Sequence, residues 1–325
     1  MNTKGRVLGL LRAQRSRHIS GEAIAAELSV SRNAVWKAIN ALRQEGWEIE
    51  AVTNKGYRLA DGLDRLSESE IMRMLGQAKE LARPEIRIFP SLVSTNQTAK
   101  ELAVAGAPHG TAVFAEMQTG GRGRSARRFY SPEGGLYCSV ILHPDRLHFS
   151  HITAVTAFAA VSACAAVEAV SGSAPQIKWV NDLYLSGKKI CGILTEAVTD
   201  IESGGIGWIV VGIGINLTVP AGGFPDEIRE TAGAVFADAP VPDAKNRLAA
   251  ELLRRLLTVS PPDEAVLYAD YRARMMLLGE TVTVMRGDRE YRALAKDIDS
   301  IGHLILQMPD GTEQALSSGE IRIKP

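Results

Sequence analysis

Apolar positions recur at helical spacing three times within the first 45 residues. Val7, Leu8 and Leu11 line one face of a first helix. Ile24 and Leu28, four apart, line a second, which Ser20 can cap with Glu22 in its first turn. After the tight connection Leu28-Ser29-Val30-Ser31, a third helix opens at Ser31 and turns Val35, Ile39 and Leu42 inward. Its other face carries Ser31, Arg32, Asn33, Trp36, Lys37 and Asn40, with donors suited to base edges and phosphates. β-type residues from Trp47 to Leu59 flank the turn tripeptide Asn54-Lys55-Gly56 and predict a hairpin. Three helices and a hairpin over residues 1–62 predict a winged helix-turn-helix that binds DNA, with Lys55 and Arg58 on the wing.

Beyond a polar connection, Ser67 can cap a helix ending near Leu75 and open a second domain over 67–276. Strand-like runs then alternate with helices. The strands are Ile86–Phe89, Thr111–Gln118, Leu136–Leu142, Ile177–Val180, Leu183–Ala197 folded at Ser186-Gly187, and Trp208–Ile215. The helices are Thr95–Ala105, His151–Val170, Ala244–Thr258 and Asp263–Met276. Hairpins mixed with few helices favour an α+β fold on a mostly antiparallel sheet. Five short strands separated by turn residues follow between Thr281 and Ile323 and predict a small β-barrel over 277–325.

Composition changes this picture at one point. The chain holds 37 basic and 37 acidic residues, yet residues 1–60 carry ten basic and five acidic, a net +5, against 27 and 32, a net −5, in the rest. Such an asymmetry points to nucleic acid at the basic end. Cys138, Cys164 and Cys191 are odd in number and widely spaced, which fits a reducing cytoplasm and neither a disulfide framework nor a zinc spacing. Val7–Leu11 is too short for a signal core. The uncharged run Ile152–Val167 falls short of a membrane span and reads as a buried core helix. His143, His148 and His151 match no standard metal spacing and read as surface residues.

The chemistry concentrates in two segments. Between Gln118 and Phe129 stand Gly120, Gly121 and Gly123 with Arg122, Arg124, Arg127 and Arg128. Glycines let backbone N–H groups approach an anion and arginines neutralise phosphate, so a polyphosphate ligand is the natural reading, with a basic loop for nucleic acid as the alternative. Neither a P-loop nor a dinucleotide fingerprint is present. In Lys178-Trp179-Val180-Asn181-Asp182, a Lys beside an Asn-Asp pair can hold a phosphate and a Mg²⁺, and Lys188 or Lys189 on the next hairpin can meet a carboxylate. A turn pair with solvated hairpin charges fits the same spacing.

Taken with Ser94-Thr95-Asn96, Lys189 followed by Gly192-Ile193-Leu194, and Gly212-Ile213-Gly214-Ile215-Asn216, these segments resemble the biotin protein ligases of the bifunctional, repressor type. The motifs stand in family order across most of the chain. The resemblance implies a class II synthetase-like ligase domain and an SH3-like β-barrel at the C-terminus. It implies a cytoplasmic enzyme that converts biotin and ATP to biotinyl-5′-adenylate and passes biotin to a Lys of a biotin carboxyl carrier protein domain. The adenylate then serves as corepressor for a homodimer on operator DNA. Biotin and ATP are substrates, Mg²⁺ accompanies ATP, and no permanently bound cofactor or membrane partner is implied.

Residue by residue, the resemblance assigns biotin to Ser94, Thr95, Asn96, Gln118, Gly121, Arg122, Lys189, Gly192, Leu194, Gly212 and Ile215, with Trp179, Ile193 and Gly214 beside them. It assigns the nucleotide to Arg122, Gly123, Arg124, Arg127, Lys178, Trp179, Asn181, Asp182 and Asn216, with Arg128 as a further phosphate contact, Asp182 near Mg²⁺ and Lys324 reaching in from the barrel. Arg124 and Lys189 are the catalytic pair. The chain departs from the family at Ala126, Phe129 and Val180, where Gly, Trp and Pro are common. Ala126 restricts loop closure if that position needs a positive φ. The rival readings are a DNA-binding biotin sensor without turnover and a lipoate-type ligase.

Overall fold

Local signals build the first helices as their sequences dictate. In the computed structural model, α1 (Thr3–Ala13), α2 (Gly21–Leu28) and α3 (Arg32–Gln44) precede a hairpin of β1 (Ile49–Val52) and β2 (Gly56–Leu59). The described residues are 3–14, 17–44, 47, 49–59, 64–76, 81–199, 205–238, 240–286, 289–317 and 320–322. Ser20 Oγ accepts from Ala23 N at 3.0 Å and Ser31 Oγ from Ala34 N at 3.1 Å, so both serines satisfy orphan helix donors. Val7, Leu8 and Leu11 meet Ile24, Val35, Ile39 and Leu42 in one core, where each side chain contributes roughly 1.5–3 kcal/mol.

The chain divides into two compact units, residues 1–74 and 75–325. Helix α4 (Glu68–Leu75), expected to open the second domain, lies almost wholly in the first unit. The physical reason is burial: Glu70 is buried, its Oε1 lies 3.4 Å from where a Cβ on Gly9 of α1 would be, and Arg12 of α1 donates to Arg65 O at 2.9 Å.

The second unit is built on seven strands in the order β3-β4-β5-β9-β8-β7-β6. These are β3 (Glu85–Leu92), β4 (Thr111–Gln118), β5 (Gly135–Leu142), β6 (Gln176–Lys178), β7 (Asp182–Leu185), β8 (Lys188–Thr199) and β9 (Ile206–Asn216). Among the described strands of this sheet, only β3 and β4 pair in parallel. The strand expected over Ile177–Val180 stops at Lys178, because the chain turns at Trp179–Val180 to re-enter as β7. Ser186 (φ 51°) and Gly187 (φ 76°) form the tight turn from β7 to β8, a pair of positive φ values that suits a two-residue hairpin.

Helix α5 (Thr95–Val104) covers one sheet face, with Ala99 and Ala103 on Val113, Ile141 and Val210. The other face packs α6 (Ile152–Ser171), backed by α7 (Ala244–Leu256) and α8 (Glu264–Ala273). At 20 residues α6 is long and apolar enough to cross a membrane, longer than its uncharged run suggested, but Ala154, Val155, Phe158 and Ala163 are buried, and it is a core helix. Strands β10 (Thr281–Arg286), β11 (Arg289–Ile298), β12 (Leu304–Gln307), β13 (Glu313–Leu316) and β14 (Glu320–Arg322) form an antiparallel sheet whose last strand returns beside its first. Trp179 Nε1 donates to Gly302 O at 3.0 Å and Thr153 Oγ1 to Ile301 O at 3.2 Å, tying the 299–303 loop to the β6–β7 turn and to α6.

Candidate active site

Antiparallel partners share a sheet face, and the register therefore sorts the central strands. Thr195 meets Thr156 of α6, so its partner Val211 and the alternate positions Ile193, Cys191, Ile213 and Ile215 face α6. Glu196 meets Asn96 and Lys100 of α5, so Leu194, Gly192, Gly212 and Gly214 face the α5 side. There a cavity of about 540 Å³ opens over the glycines.

The cavity wall brings together Ser94, Thr95, Asn96, Gln118, Arg122, Gly123, Arg124, Arg127, Arg128, Lys178, Trp179, Asn181, Asp182, Lys189, Gly192, Leu194, Gly212 and Gly214. Among the described lining residues, six are cations and one, Asp182, is a carboxylate. Three assigned residues stand outside. Ile215, expected at biotin, is fully buried and faces α6 by strand alternation. Asn216, expected at the nucleotide, is half-buried and its Nδ2 donates to Gly233 O at 2.9 Å. Gly121 lies behind the wall, where a Cβ would come within 2.5 Å of Phe129 O. Lys324 lies outside the described residues, as does the side chain of Ala126.

The glycine-arginine segment is a folded excursion. Gln118 pairs with Ser131 and Arg122 with Arg128, while Gly123 N donates to Arg127 O at 2.8 Å and Phe129 N to Gly121 O at 2.9 Å. The left-handed position at its tip is Ser125 (φ 54°). Phe129 lies on the glycine floor: a Cβ on Gly214 would meet its ring at 2.5 Å and one on Gly192 at 3.0 Å.

Lys189 Nζ lies 2.6 Å from Asp182 Oδ1, so these two arrive paired across β7 and β8. Its backbone is held on both sides, by N–H to Thr231 O at 2.7 Å and by Gly233 N to its own carbonyl at 2.8 Å. The 217–243 segment that supplies this clamp has no periodic signal. Asn181 Nδ2 donates to Ile193 O at 2.7 Å, and the Trp179–Val180 peptide is cis. Ile193, expected beside biotin, also lines the cavity, as do Ser125 of the glycine-arginine loop and Ile213 of the Gly212–Asn216 motif, to which no role was assigned; Met285 and Ile321 of the C-terminal sheet had no sequence signal.

A part-buried polar network supports the wall. Asn96 Nδ2 donates to Glu196 Oε2 at 2.8 Å, Lys100 Nζ to Glu196 Oε1 at 2.7 Å, Thr95 N to Gln118 Oε1 at 2.8 Å, and Gln118 Nε2 to Ser131 Oγ at 2.9 Å. Burial acts to raise the Glu196 carboxyl, but hydrogen bonds from Lys100 and Asn96, with the charges of Lys100 and Arg122, hold it below its ordinary value. Burial pushes the Cys138 and Cys164 thiols up to about 12 and Cys191 well above its usual range, so none is a nucleophile.

Comparison with known proteins fits this geometry. Residues 88–216 match the Biotin/lipoate A/B protein ligase family, 5–58 an HTH domain and 277–323 the Biotin protein ligase C terminal domain. The chain is 30% identical to the bifunctional ligase/repressor BirA of Escherichia coli over 310 residues, 94% of this chain and 92% of that protein. The chain belongs to the biotin protein ligase family. The Bacillus spizizenii ligase/repressor is 43% identical over 218 residues, 67% of this chain and 66% of its own length. A biotin protein ligase from Aquifex aeolicus in complex with biotin and ATP superposes with a TM-score of 0.60 at 25% identity, covering 73% of this chain and 97% of that one.

In the segment that matches the HTH domain, Ser31 is exposed just before α3, Arg32, Asn33, Trp36 and Lys37 are exposed on the helix, and Asn40 is half-buried beside them. On the wing, Lys55 is exposed, whereas Arg58 forms a bidentate pair with Glu50 at 3.0 and 3.1 Å. Arg58 therefore braces the hairpin.

Proposed function

We propose that the chain is an ATP-dependent biotin ligase that also represses transcription. The observation that carries the ligase reading is the cavity itself, six cations against one carboxylate over a floor of glycines. A carboxylate and a triphosphate repel each other, so a site that joins them must gather both and bear the charge of the α-phosphoryl transition state. A biotin carboxylate oxygen attacks the α-phosphorus, the bond to the β-phosphate breaks, and pyrophosphate leaves. The acceptor amine then attacks the biotinyl carbonyl, loses a proton, and AMP departs.

Ser94, Thr95, Asn96, Gln118 and Arg122 meet the ureido ring, and Gly192, Gly212 and Gly214 make room for the bicycle and chain. Lys189 and Arg124 stand at the reacting carboxylate and phosphate. Lys178, Trp179 and Arg127 hold the nucleotide, with Arg128 beside them, and Asn181 and Asp182 offer the oxygen ligands that suit the Mg²⁺ of Mg-ATP. No nucleophilic side chain takes part. The acceptor is a biotin carboxyl carrier domain, the compartment is the cytoplasm, and the adenylate-bound form is a homodimer on operator DNA.

Incubating the protein with biotin, Mg-ATP and a carrier domain should raise the acceptor's mass by one biotinyl group. An unmodified acceptor overturns the ligase reading, and modification by lipoate in its place assigns the lipoate branch.

A further inference from the structure

We propose that Tyr184 is a positioning residue for the nucleotide: the face of its ring holds the ammonium of Lys178 at the cavity and so tunes the affinity for ATP. The inference deepens the ligase reading and rests on the nucleotide role given there to Lys178.

Strand register brings the two residues together. Lys178 of β6 pairs with Asp182 of β7, and Gln176 with Tyr184. Asp182 and Tyr184 stand two apart on β7 and share a face, which makes Tyr184 the diagonal neighbour of Lys178. A diagonal pair is too far apart for two short side chains but within reach of a long one and an aromatic one. Lys178 Nζ lies over the Tyr184 ring, 5.4 Å from its centroid, inside the range in which the negative face of an aromatic ring attracts a cation. Lys178, Asp182 and Lys189 line the cavity, whereas Tyr184 is not among the described lining residues. Its effect on a ligand therefore passes through a neighbour.

The cavity thus positions two lysines in two ways. Lys189 Nζ lies 2.6 Å from Asp182 Oδ1, so a carboxylate takes one of its donors and offsets its charge. A ring face does neither, since it carries no net charge and attracts the cation through its quadrupole alone. Burial, with the charge of Asp182, pushes the Tyr184 hydroxyl up to about 12, so near neutral pH the side chain is a neutral phenol and forms no phenolate ion pair. A lysine stem is long and flexible, and freezing it opposes every contact its ammonium makes. The ring restricts the Lys178 stem before the nucleotide arrives, which leaves less entropy to lose when the ammonium meets a phosphate.

The test is biotin-dependent pyrophosphate exchange by the full-length protein, with ATP titrated at saturating biotin. Tyr184→Leu should raise the KM for ATP about two- to fivefold, the worth of a partly exposed contact between a cation and a ring, and move the KM for biotin less. Tyr184→Phe keeps the ring without the hydroxyl and should restore the wild-type KM. A further series replaces Tyr184 by phenylalanine bearing one, two and three ring fluorines, which weaken the quadrupole in steps while the side chain nearly keeps its shape. The KM for ATP should climb with each fluorine. A ring with a merely structural role would not respond, so a flat series overturns the inference, as does Tyr184→Phe behaving like Tyr184→Leu. The steps should vanish in a Lys178→Met background, and their persistence there overturns the link to Lys178. Because the fluorinated side chains are nearly isosteric, this series does not depend on Tyr184→Leu folding. Wild-type protein with no biotin-dependent exchange removes the ligase reading and this inference with it, whereas active wild type with a flat series removes only the role of Tyr184.

Discussion

Lys189, proposed to stand at the reacting carboxylate, is positioned by contacts that its sequence context does not announce. Its ammonium lies 2.6 Å from Asp182, and its backbone is fixed by Thr231 and Gly233 whatever the side chain does. Lys189→Ala should therefore fold normally and lose roughly 10²- to 10³-fold in adenylation, the usual cost of removing one preorganised charge at a developing transition state. Stopped-flow adenylation beside a thermal melt checks this, and unchanged turnover would move the catalytic charge elsewhere. At this scale the sequence was legible where residue type announces chemistry, as in Arg122, Arg124 and Lys178. It was less direct at Ile215, which was carried over within a motif as a block. The alternation within Gly212-Ile213-Gly214-Ile215 already puts isoleucines and glycines on opposite faces. Glu196 and Lys100 gave no signal, since their meaning lies in contacts across about 100 positions of sequence.

The helices and strands were legible because period and turn chemistry are local. What joined them was not. The C-terminal sheet reads as a separate barrel in sequence, yet its 299–303 loop accepts the Trp179 indole N–H, and Met285 and Ile321 line the cavity. Gly302 makes this contact feasible: its φ is +82° and a Cβ would fall 2.7 Å from the Tyr268 ring. Gly302→Ala should cost roughly 1–3 kcal/mol in stability through backbone strain. Because the displaced carbonyl is the one that holds Trp179, the KM for ATP should rise more than the KM for biotin. Substrate titrations at a temperature well below the melt would show it; equal rises in both constants would limit the loop to a stabilising role.

For the whole molecule, the zero net charge is the sum of a basic first unit and an acidic remainder, and this partition yields a regulatory prediction. A single winged helix offers few phosphate contacts: Arg32 and Lys37 on α3 and Lys55 on the wing are exposed, while Arg58 is committed to Glu50. One copy should therefore bind operator weakly. If the adenylate favours a homodimer, two copies engage one site, and the number of neutralised phosphates doubles. Operator affinity should then rise within the usual 5- to 150-fold range of coupling on adding biotin and ATP together, but not with either alone. The slope of log affinity against log salt should steepen by about twofold in the same titration. Adding an acceptor domain should reverse both effects, because transfer of biotin to its Lys consumes the adenylate. Affinity that rises with an unchanged salt slope would mean that the adenylate strengthens single-copy binding. Affinity indifferent to biotin and ATP would leave the ligase chemistry intact and remove the repressor from the account.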